Sequence, residues 1–486
     1  MSSNQTKLKR VLGFAPAYGA AVGLVVSGTA MFSVGNVTGT AGYSAPISAL
    51  IALIPMMVAA FAFGELTAML PGGGMVSDYT LPALGRFWAT FSLLSGYLVL
   101  ISTDGGTQLV MGGLSMEALC GVPQIIVTLS LFLIVLVINI LNVDFYGKIE
   151  SVVTILMMIV FAAFAISANL RLGEKLSVAT PINNNLNILP EGGWGTVLNT
   201  TGAAIWFFIG FEFACPMAEE NKRPHKNIPY ALIFGLITIY IIDSLFAVAA
   251  TRYSDLTVLS TSAIPQTEAS RAMLGNIGYI TMTVLTIMAS FTTANAYMAS
   301  FPRMLYGLSR QGLVPKLFGV INRKYRTPIN GIIFTSFLIL ATVTFIAING
   351  ANVGVVQGMI NTACITWMVS YAIVMIDVLV LRKRYPDFPR LWKAPVAKFT
   401  MPIGLIGVVY AIYTLKDYLV YSLICMVVIA LYCLIWGKMH KIELFKPTEL
   451  HQTVQEIRNR SEYLPEWDEA VDVWCREHTP DSKRAY

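Results

Sequence analysis

Charged residues are scarce in this chain, and their scarcity excludes a soluble globular protein. Only 12% of the 486 residues are charged, whereas 56% are hydrophobic. A soluble domain carries about 25% charged residues, so a soluble protein of this composition would have too little polar surface to face water. A membrane protein can present the same apolar surface to lipid tails, provided that its backbone is hydrogen-bonded internally. The composition therefore predicts a membrane protein.

Histidine is also scarce, and the cysteines form no recognisable motif. The four histidines, His225, His440, His451 and His478, all lie in predicted loops or in the C-terminal tail. An enzyme embedded in the membrane would need clustered histidines, paired aspartates or a serine–histidine set, so enzymatic chemistry is not indicated. The six cysteines show no Cys-x-x-Cys or Cys/His spacing, which argues against a zinc site or a disulfide framework. Basic residues lie in short loops rather than in patches with aromatic residues, which argues against nucleic-acid binding.

Long apolar runs recur along the chain, and most are long enough to cross about 30 Å of hydrocarbon. The first run begins near Leu12. It is too long for the apolar part of a signal peptide and has no small-residue cleavage site after it, so it is predicted to be a membrane span. A sliding window predicts twelve spans, at 12–35, 45–69, 87–116, 124–142, 149–169, 198–218, 229–250, 276–308, 329–348, 353–381, 400–415 and 417–436.

Lysine and arginine are distributed unevenly between the loops. With both termini placed in the cytoplasm, the inner segments before the tail hold nineteen basic residues and the outer loops hold five. Because cytoplasmic loops carry the excess of Lys and Arg, the prediction is a multi-pass protein of the cell membrane with both termini cytoplasmic. The chain then divides into a cytoplasmic N-terminus (1–11), a ten-helix core (12–398), helices 11 and 12 (399–437) and a cytoplasmic tail (438–486). This tail is too short for a core of its own, and its one or two amphipathic helices are expected to be solvated or to lie on the membrane surface.

Glycine or proline interrupts the first and the sixth spans. The first reads VGLVVSGTAMFSVGNVTG, with Gly28 between Ser27 and Thr29, and the sixth reads AIWFFIGFEFACPMAEE, with Gly210 and Pro216. Glycine in a membrane helix can simply permit close packing. Two interrupted spans five helices apart, however, fit an inverted repeat in which the first helix of each half is broken. A broken helix exposes N–H groups that bind anions and carbonyls that bind cations.

Polar segments at the ends of four spans resemble those of a known family. The second span ends FAFGELTAMLPGGGMVSDYT, the sixth continues GFEFACPMAEENKRPHKNIPYA, the eighth continues FPRMLYGLSRQGLVPKLFGVINRKYRTPING, and the tenth ends LRKRYPDFPRLWKAP. These segments, together spanning most of residues 10–400, resemble the amino acid–polyamine–organocation (APC) superfamily of permeases. The resemblance implies an all-α membrane protein of 12 transmembrane helices with a LeuT-like 5+5 inverted-repeat core, to which helices 11 and 12 are added.

The same resemblance implies a function. The implied function is that of a secondary active transporter of amino acids or related amines. Such a protein works by alternating access, as a symporter or an antiporter, and the partners expected here are a small-molecule substrate and membrane lipid. Two alternatives stay open, namely an ethanolamine- or polyamine-type organic cation permease and an amino acid exchanger without ion coupling. The first span departs from the commonest family form, Gly-Ser-Gly, and so leaves open whether the ligand has a carboxylate. A channel or a receptor-like sensor with the same fold is a third hypothesis.

The resemblance places a substrate site between helices 1, 3, 6, 8 and 10. The residues expected there are Ser27, Gly28, Thr29, Thr103, Asp104, Trp206, Ile209 and Gly210. A charge at the bilayer centre costs about 2.5–3.5 kcal/mol on insertion scales, so Asp104 is expected either to pair with a substrate ammonium or to be a hydrogen-bonded structural acid. Trp206 matches an aromatic residue that closes over substrate in arginine–agmatine exchangers, with helix packing as the alternative. The gating candidates are Glu65, Trp206 and Glu212.

A sodium site is expected between the first and eighth spans. Some proton-coupled relatives carry a lysine in the fifth helix, near the place of Met157 in this chain. By resemblance, the eighth span carries a threonine pair where cation–chloride cotransporters have a sodium-binding serine pair. Five residues could supply the hydroxyl and carbonyl oxygens that sodium prefers: Val22, Val25, Ala289, Thr292 and Thr293. Threonine hydroxyls in membrane helices also bond to their own helix or to a neighbour, so proton coupling and pure exchange stay open.

Overall fold

A computed structural model of the chain describes residues 9–141, 148–184, 187–322, 324–325 and 327–478. Residues 1–8 and 479–486 of the predicted terminal segments, residue 142 of the fourth predicted span, and Arg323 and Arg326 of the charge count lie outside the described residues. The α-helices are α1 (Phe14–Gly23), α2 (Gly28–Ala41), α3 (Ala45–Met69), α4 (Val76–Leu84), α5 (Arg86–Leu93), α6 (Val99–Cys120), α7 (Gln124–Leu141), α8 (Lys148–Asn169), α9 (Leu172–Lys175), α10 (Trp194–Asn199), α11 (Thr201–Ile205), α12 (Pro224–Tyr253), α13 (Leu256–Thr261), α14 (Pro265–Arg310), α15 (Ile329–Asn349), α16 (Val353–Arg384), α17 (Ala397–Thr414), α18 (Leu419–Met439), α19 (Leu450–Arg460) and α20 (Pro465–His478). Short 3-10 segments lie at Gly42–Ser44, Phe211–Glu219, Lys316–Gly319 and Lys416–Tyr418.

Long apolar helices account for most of the fold. Within the described ranges, nine helical segments are long and apolar enough to cross a membrane: Gly28–Met69, Gln124–Leu141, Val152–Asn169, Pro224–Tyr253, Pro265–Arg310, Ile329–Asn349, Val353–Arg384, Ala397–Thr414 and Lys416–Met439. Large apolar side chains such as Ile277, Phe337 and Ile406 are exposed on these helices. Such a surface suits lipid rather than water, since lipid tails solvate apolar groups and offer no hydrogen bonds.

Three of the predicted spans are interrupted, and the interruptions follow the local sequence. Residues 24–27 separate α1 from α2, and a π-helical turn at Leu94–Leu98 lies between α5 and α6. The sixth span consists of α10, α11, a turn at 206–210 and a 3-10 segment. Gly210 ends that turn with φ of 109°, a backbone conformation that glycine adopts without steric cost. The structure therefore shows the breaks in the first and sixth spans, whereas twelve crossings and a 5+5 repeat remain predictions.

Close helix packing holds α6 against several neighbours. It packs against α7, α14, α15 and α16, and α14 also packs against α2. A methyl group added at Gly106 would lie 2.6 Å from the side chain of Thr342 and 2.7 Å from the carbonyl oxygen of Ile339, so a glycine is needed for α6 and α15 to approach so closely. Through these contacts the α6 residues Asp104 and Gln108 lie beside α2 and α14.

The C-terminal tail packs on the core, which corrects the expectation that it is solvated. Its two amphipathic helices, α19 and α20, are present as predicted. Ile457 and Trp467 are only 0% and 1% exposed, and Trp467 Nε1 donates a hydrogen bond to the carbonyl of Met69 at 2.9 Å. The segment before α19 is also attached, since Phe87 N donates to Leu444 O at 2.8 Å. The tail docks because an amphipathic helix buries its apolar face wherever a matching surface exists.

Candidate functional site

The start of α2 forms one side of the candidate site. Ser27 caps this helix with extended backbone, and its side chain accepts a hydrogen bond from Ala30 N at 3.1 Å. Thr29 N, at the start of the same helix, donates a hydrogen bond to Gln108 Oε1 of α6 at 3.3 Å. A methyl group at Gly28 would lie 2.5 Å from Ser290 Oγ of α14. The break in the first span therefore brings its backbone into contact with both α6 and α14, and the glycine is required for that approach.

Asp104 lies on α6, four residues before Gln108, and is fully buried. Its Oδ2 accepts hydrogen bonds from Gln108 Nε2 at 2.9 Å and from the hydroxyl of Tyr297 at 2.8 Å. Its Oδ1 is buried and has no hydrogen-bond partner. Within the described part of the chain no lysine or arginine forms an ion pair with this carboxyl. A buried oxygen without a partner is unusual in a folded protein, and it is the most direct sign of a ligand-binding role in this region.

Trp206 belongs to the same hydrogen-bond network. Its indole Nε1 donates to Thr29 Oγ1 at 3.1 Å, and Gln108 Nε2 donates to the same hydroxyl oxygen at 2.6 Å. The ring is 3% exposed and meets the ring of Trp367 edge-on, with centroids 6.5 Å apart. Thr29 therefore links the broken sixth span, through Gln108, to Asp104. The structure brings together three of the residues that the sequence predicted, Thr29, Asp104 and Trp206.

Glu212 lies in a separate cluster. It is fully buried and accepts hydrogen bonds from Trp367 Nε1 at 2.9 Å, from the hydroxyl of Tyr97 at 3.1 Å and, at shorter range, from the hydroxyl of Tyr371. Tyr371 also accepts a hydrogen bond from Gly210 N at 3.4 Å. Glu212 thus connects the broken sixth span to α16 and to the π turn of the third span. These are the contacts expected of a residue that couples helix movements, so it stays a gating candidate.

Glu65 connects the end of α3 to the last turn of α16 and to the loop after it. Its carboxylate accepts two hydrogen bonds from Arg382, at 2.8 and 2.5 Å, and one from Ala394 N at 2.8 Å, and Arg390 lies 3.3 Å away. A carboxylate held by two arginines and a backbone N–H is strongly fixed. Glu65 shares no hydrogen-bond partner with the Asp104 network among the described residues. Its contacts suit a loop anchor or gate rather than a substrate contact.

Among the described residues, four predicted site residues form no hydrogen bond with this network: Gly28, Thr103, Ile209 and Gly210, whose N–H bonds to Tyr371 instead. The hydroxyl of Thr103 donates back to Val99 O of its own helix at 2.9 Å, and Ile209 is an apolar buried residue of the turn before Gly210. Conversely, Gln108 and Tyr297 were not predicted. Gln108 could have been found, because it lies four residues after Asp104 and hence on the same face of α6. Tyr297 gave no local signal.

The predicted sodium ligands fit the chemistry of a hard cation in part. Thr293 is buried and its hydroxyl has no hydrogen-bond partner. The hydroxyl of Thr292, in contrast, donates to its own helix, including the carbonyl of Ala289 at 3.1 Å. The carbonyls of Val22 and Val25 accept backbone N–H groups at 3.0 and 2.9 Å. All the proposed ligand atoms are oxygens, which sodium prefers. Among the side chains of these five residues, Thr293 supplies the hydroxyl that has no hydrogen-bond partner.

Comparison with solved structures concerns the fold. A manganese transporter of Eremococcus coleocola, solved with an aromatic bis-isothiourea compound, matches with a TM-score of 0.59 at 11% identity, over 95% of this chain and 100% of that one. The fold of this chain is therefore similar to the fold of that protein. The apolar helices agree with this result and make the protein a multi-pass membrane protein.

Comparison of sequences defines the family. The pattern of the amino acid permease family matches residues 12–439, and the chain belongs to that family. The branched-chain amino acid permease BcaP of Bacillus subtilis (strain 168) is 23% identical, over 89% of this chain and 94% of the relative. The D-serine/D-alanine/glycine transporter of Escherichia coli O6:H1 is also 23% identical, over 69% and 73%. The methylthioribose transporter of Bacillus subtilis (strain 168) is 24% identical, over 77% and 81%. The protein is a transporter and not an enzyme.

Proposed function

We propose that this protein is a secondary active transporter of amino acids or related amines, and that the ammonium group of the substrate pairs with Asp104. The observation that supports this proposal most directly is the buried, unpaired Oδ1 of that residue. A substrate ammonium would bring both an opposite charge and N–H donors to this oxygen, and would offset the cost of an acid at membrane depth. The relatives named as transporters of branched-chain amino acids and of serine, alanine and glycine support the substrate class.

The hydrogen bonds at the start of α2 bear on two possible substrate classes, amino acids and amines without a carboxylate. The backbone donors there, Thr29 N and Ala30 N, are already bonded to Gln108 and Ser27. A substrate carboxylate would have to displace the Gln108 side chain in order to reach the backbone, whereas an amine without a carboxylate would not. This observation favours an ethanolamine- or polyamine-type organic cation permease as the second candidate function. Matched pairs of an amino acid and its decarboxylated amine would separate the two.

The proposed mechanism is alternating access in a plasma-membrane protein with twelve spans, a LeuT-like 5+5 repeat and cytoplasmic termini. Trp206 would cover the substrate, because its ring lies in the network that contains Asp104 and an aromatic face attracts an organic cation. Glu65 and Glu212 would act on the helices instead. Each is fixed by groups from another part of the chain, Glu65 at the last turn of α16 and the loop after it, and Glu212 at the π turn and α16.

The proposed coupling ion is sodium, bound through Thr293 and the other four oxygen-bearing residues predicted above. The unpaired hydroxyl of Thr293 supports this assignment. Its position on α14, which packs against α2, would let a bound cation join the broken first span to the eighth. Coupling to protons and exchange without an ion are the alternatives, and neither needs the hydroxyl of Thr293.

Two measurements test the proposed function. Purified protein is first screened by thermal unfolding against amino acids, amines and polyamines, because a ligand that binds only the folded state raises its stability. Counterflow of the best ligand in liposomes then separates a transporter, whose flux saturates, from a channel.

Asp104→Asn should weaken binding of that ligand about tenfold or more, since a hydrogen bond to a charged group contributes about 1.5–3 kcal/mol. The control is Asp243→Asn, the same change at a buried acid of α12 outside the network. If a folded Asp104→Asn protein binds the ligand as tightly as the control does, Asp104 is structural and the proposed ammonium site is wrong.

A further inference from the structure

A cavity of about 350 Å³ lies between the docked tail and the core. The core contributes the ends of α4, α5 and α14, and the tail contributes one face of α19. The cavity is lined by Leu81, Arg86, Gly307, Arg310, Gln311, Thr448, Gln452, Thr453, Glu456, Asn459 and Arg460. None of these residues belongs to the Asp104 network or to the predicted sodium site. The volume falls in the range of small-molecule sites, about 300–1,000 Å³.

The walls of this cavity are held in place by backbone hydrogen bonds. Thr448 N donates to Leu81 O at 3.1 Å, and Phe87 N donates to Leu444 O at 2.8 Å. On the side of α14, a methyl group built at Gly307 would meet no atom within 4 Å. The cavity is therefore built between two attached segments, and the missing side chain at Gly307 enlarges it.

Positive charge exceeds negative charge along the lining. Three arginines face one glutamate, Glu456. Arg460 is already compensated by carboxylates of the core, but in the described chain Arg86 and Arg310 form no ion pair, and Arg310 only packs over a tyrosine ring. Two guanidinium groups that form no ion pair among the described residues therefore lie at one cavity. Such groups bind phosphate well, because the planar guanidinium presents several N–H donors to the oxygens of one anion.

Two buried polar atoms of the lining have no hydrogen-bond partner. They are Oγ1 of Thr448, from the tail, and Oε1 of Gln311, at the end of α14. Buried polar atoms of this kind are normally bonded in folded proteins. An anion could accept hydrogen bonds from the arginines and from the Thr448 hydroxyl, but only a ligand that also carries a hydroxyl group could donate to Gln311 Oε1.

We propose that this cavity is a binding site for a phosphate-bearing ligand that also carries hydroxyl groups, and that the ligand joins the tail to the core. The phosphate contacts Arg86 and Arg310, and the hydroxyl groups contact Thr448 and Gln311. Because the core side of the cavity includes the end of α14, which is long and apolar enough to cross a membrane, this chemistry can come from a soluble phosphomonoester or from a phospholipid headgroup. The proposal does not depend on the transported substrate.

The test uses the full-length protein in nanodiscs and measures its thermal unfolding. Glycerol 3-phosphate, titrated in phosphatidylcholine nanodiscs, represents the soluble source, and phosphatidylglycerol added to the nanodiscs represents the lipid source. Sodium chloride at equal ionic strength controls for screening. The expected result is a rise in melting temperature with at least one of these probes, because a ligand of the folded state stabilises it. The probe that acts identifies the source.

Variants then locate the effect. Arg86→Gln with Arg310→Gln should weaken the effective probe about tenfold or more, as expected for loss of hydrogen bonds from charged groups. The control removes two exposed lysines that do not line the cavity, Lys316→Gln with Lys438→Gln, and should retain binding. Gly307→Leu fills the cavity without changing its charge and should also weaken binding, which tests the site even if the arginine variant folds poorly. The proposal is overturned if neither probe stabilises the protein beyond sodium chloride, or if the cavity variants respond as the lysine control does.

Discussion

The docking of the tail gives a prediction that can be worked out from distances. Arg460 Nη2 lies 3.3 Å from both carboxylate oxygens of Asp78, and its Nη1 lies 3.6 Å from Glu219 Oε1. The two acids are 1% and 7% exposed, whereas the arginine is 29% exposed. Arg460→Gln would therefore remove the nearest positive charge from two buried carboxylates of the core. We expect the tail to detach in this variant while the membrane helices stay folded.

The size of the effect follows from the surroundings of the two acids. Breaking a buried ion pair by removing one partner costs about 3–5 kcal/mol. Here the cost should be nearer 2 kcal/mol, because Arg460 is partly exposed and each carboxylate keeps a backbone donor, Gly74 N at 2.9 Å for Asp78 and Gly73 N at 2.7 Å for Glu219. A change of about 2 kcal/mol shifts the docking equilibrium about 30-fold.

Hydrogen exchange of α19 and α20 measures this equilibrium, because exchange of the amides in a detachable segment follows its opening free energy. Arg458→Gln is the matched control. It loses ion pairs of 2.7 and 2.8 Å to Asp468 and Asp472 within the tail, and leaves the carboxylates of the core paired. Adding Glu219→Gln to Arg460→Gln should restore part of the protection, because it removes one of the two unpaired charges. Equal protection in Arg460→Gln and in the unmutated protein would refute the reasoning.

Docking of the tail in the Arg460→Gln variant should depend on pH, and the direction of the change can be derived. Burial raises the pKa of Glu219 above its ordinary value, and the Arg460 charge partly opposes this rise. Without Arg460 the pKa must rise further. A raised pKa means that the docked state binds the proton more tightly than the detached state, so acidification favours docking. In Arg460→Gln, the α19 and α20 amides should therefore be better protected from hydrogen exchange below the pKa of Glu219 in the docked state than above it.

Three further predictions test the site and the topology. Trp206→Ala should weaken binding of a cationic substrate by about 0.5–2 kcal/mol, whereas the exposed Trp88→Ala should not, and unchanged affinity would remove Trp206 from the site. Uptake into proteoliposomes should fall when choline replaces sodium outside, and Thr293→Ala should abolish that dependence; uptake indifferent to sodium in the unmutated protein would make the threonine a packing residue. Single cysteines at the exposed positions Lys222 and Asn184 should label from the cytoplasmic and the outer side respectively, and labelling from one side would contradict the proposed orientation.

The sequence predicted the features of this fold that depend on local chemistry. Glycine and a capping serine signal a helix break within a few residues, which is why the interruptions at Ser27–Gly28 and at Gly210 were predictable. An acid in an apolar span is equally conspicuous, so Asp104 was found. These signals need no knowledge of what packs against them.

The remaining features depend on contacts that are distant in sequence. Tyr297 reaches Asp104 across 193 positions, and only the packing of α14 on α6 brings them together. Similarly, the pattern of α19 and α20 showed that each has an apolar face, but not that this face meets the core rather than the membrane surface. The buried indole N–H of Trp467 likewise finds its acceptor, Met69 O, in a segment that is distant in sequence.

The separation of Arg460 from its partners has a consequence for how the protein is made. Asp78 lies 382 positions before Arg460, so a ribosome has synthesised all the predicted membrane spans before the counter-charge of this acid exists. Until then Asp78 and Glu219 must stay hydrated or bind something else. A chain that stops after α18 would carry all the predicted spans and still lack this side of its fold, so expression of such a fragment would not by itself report correct assembly.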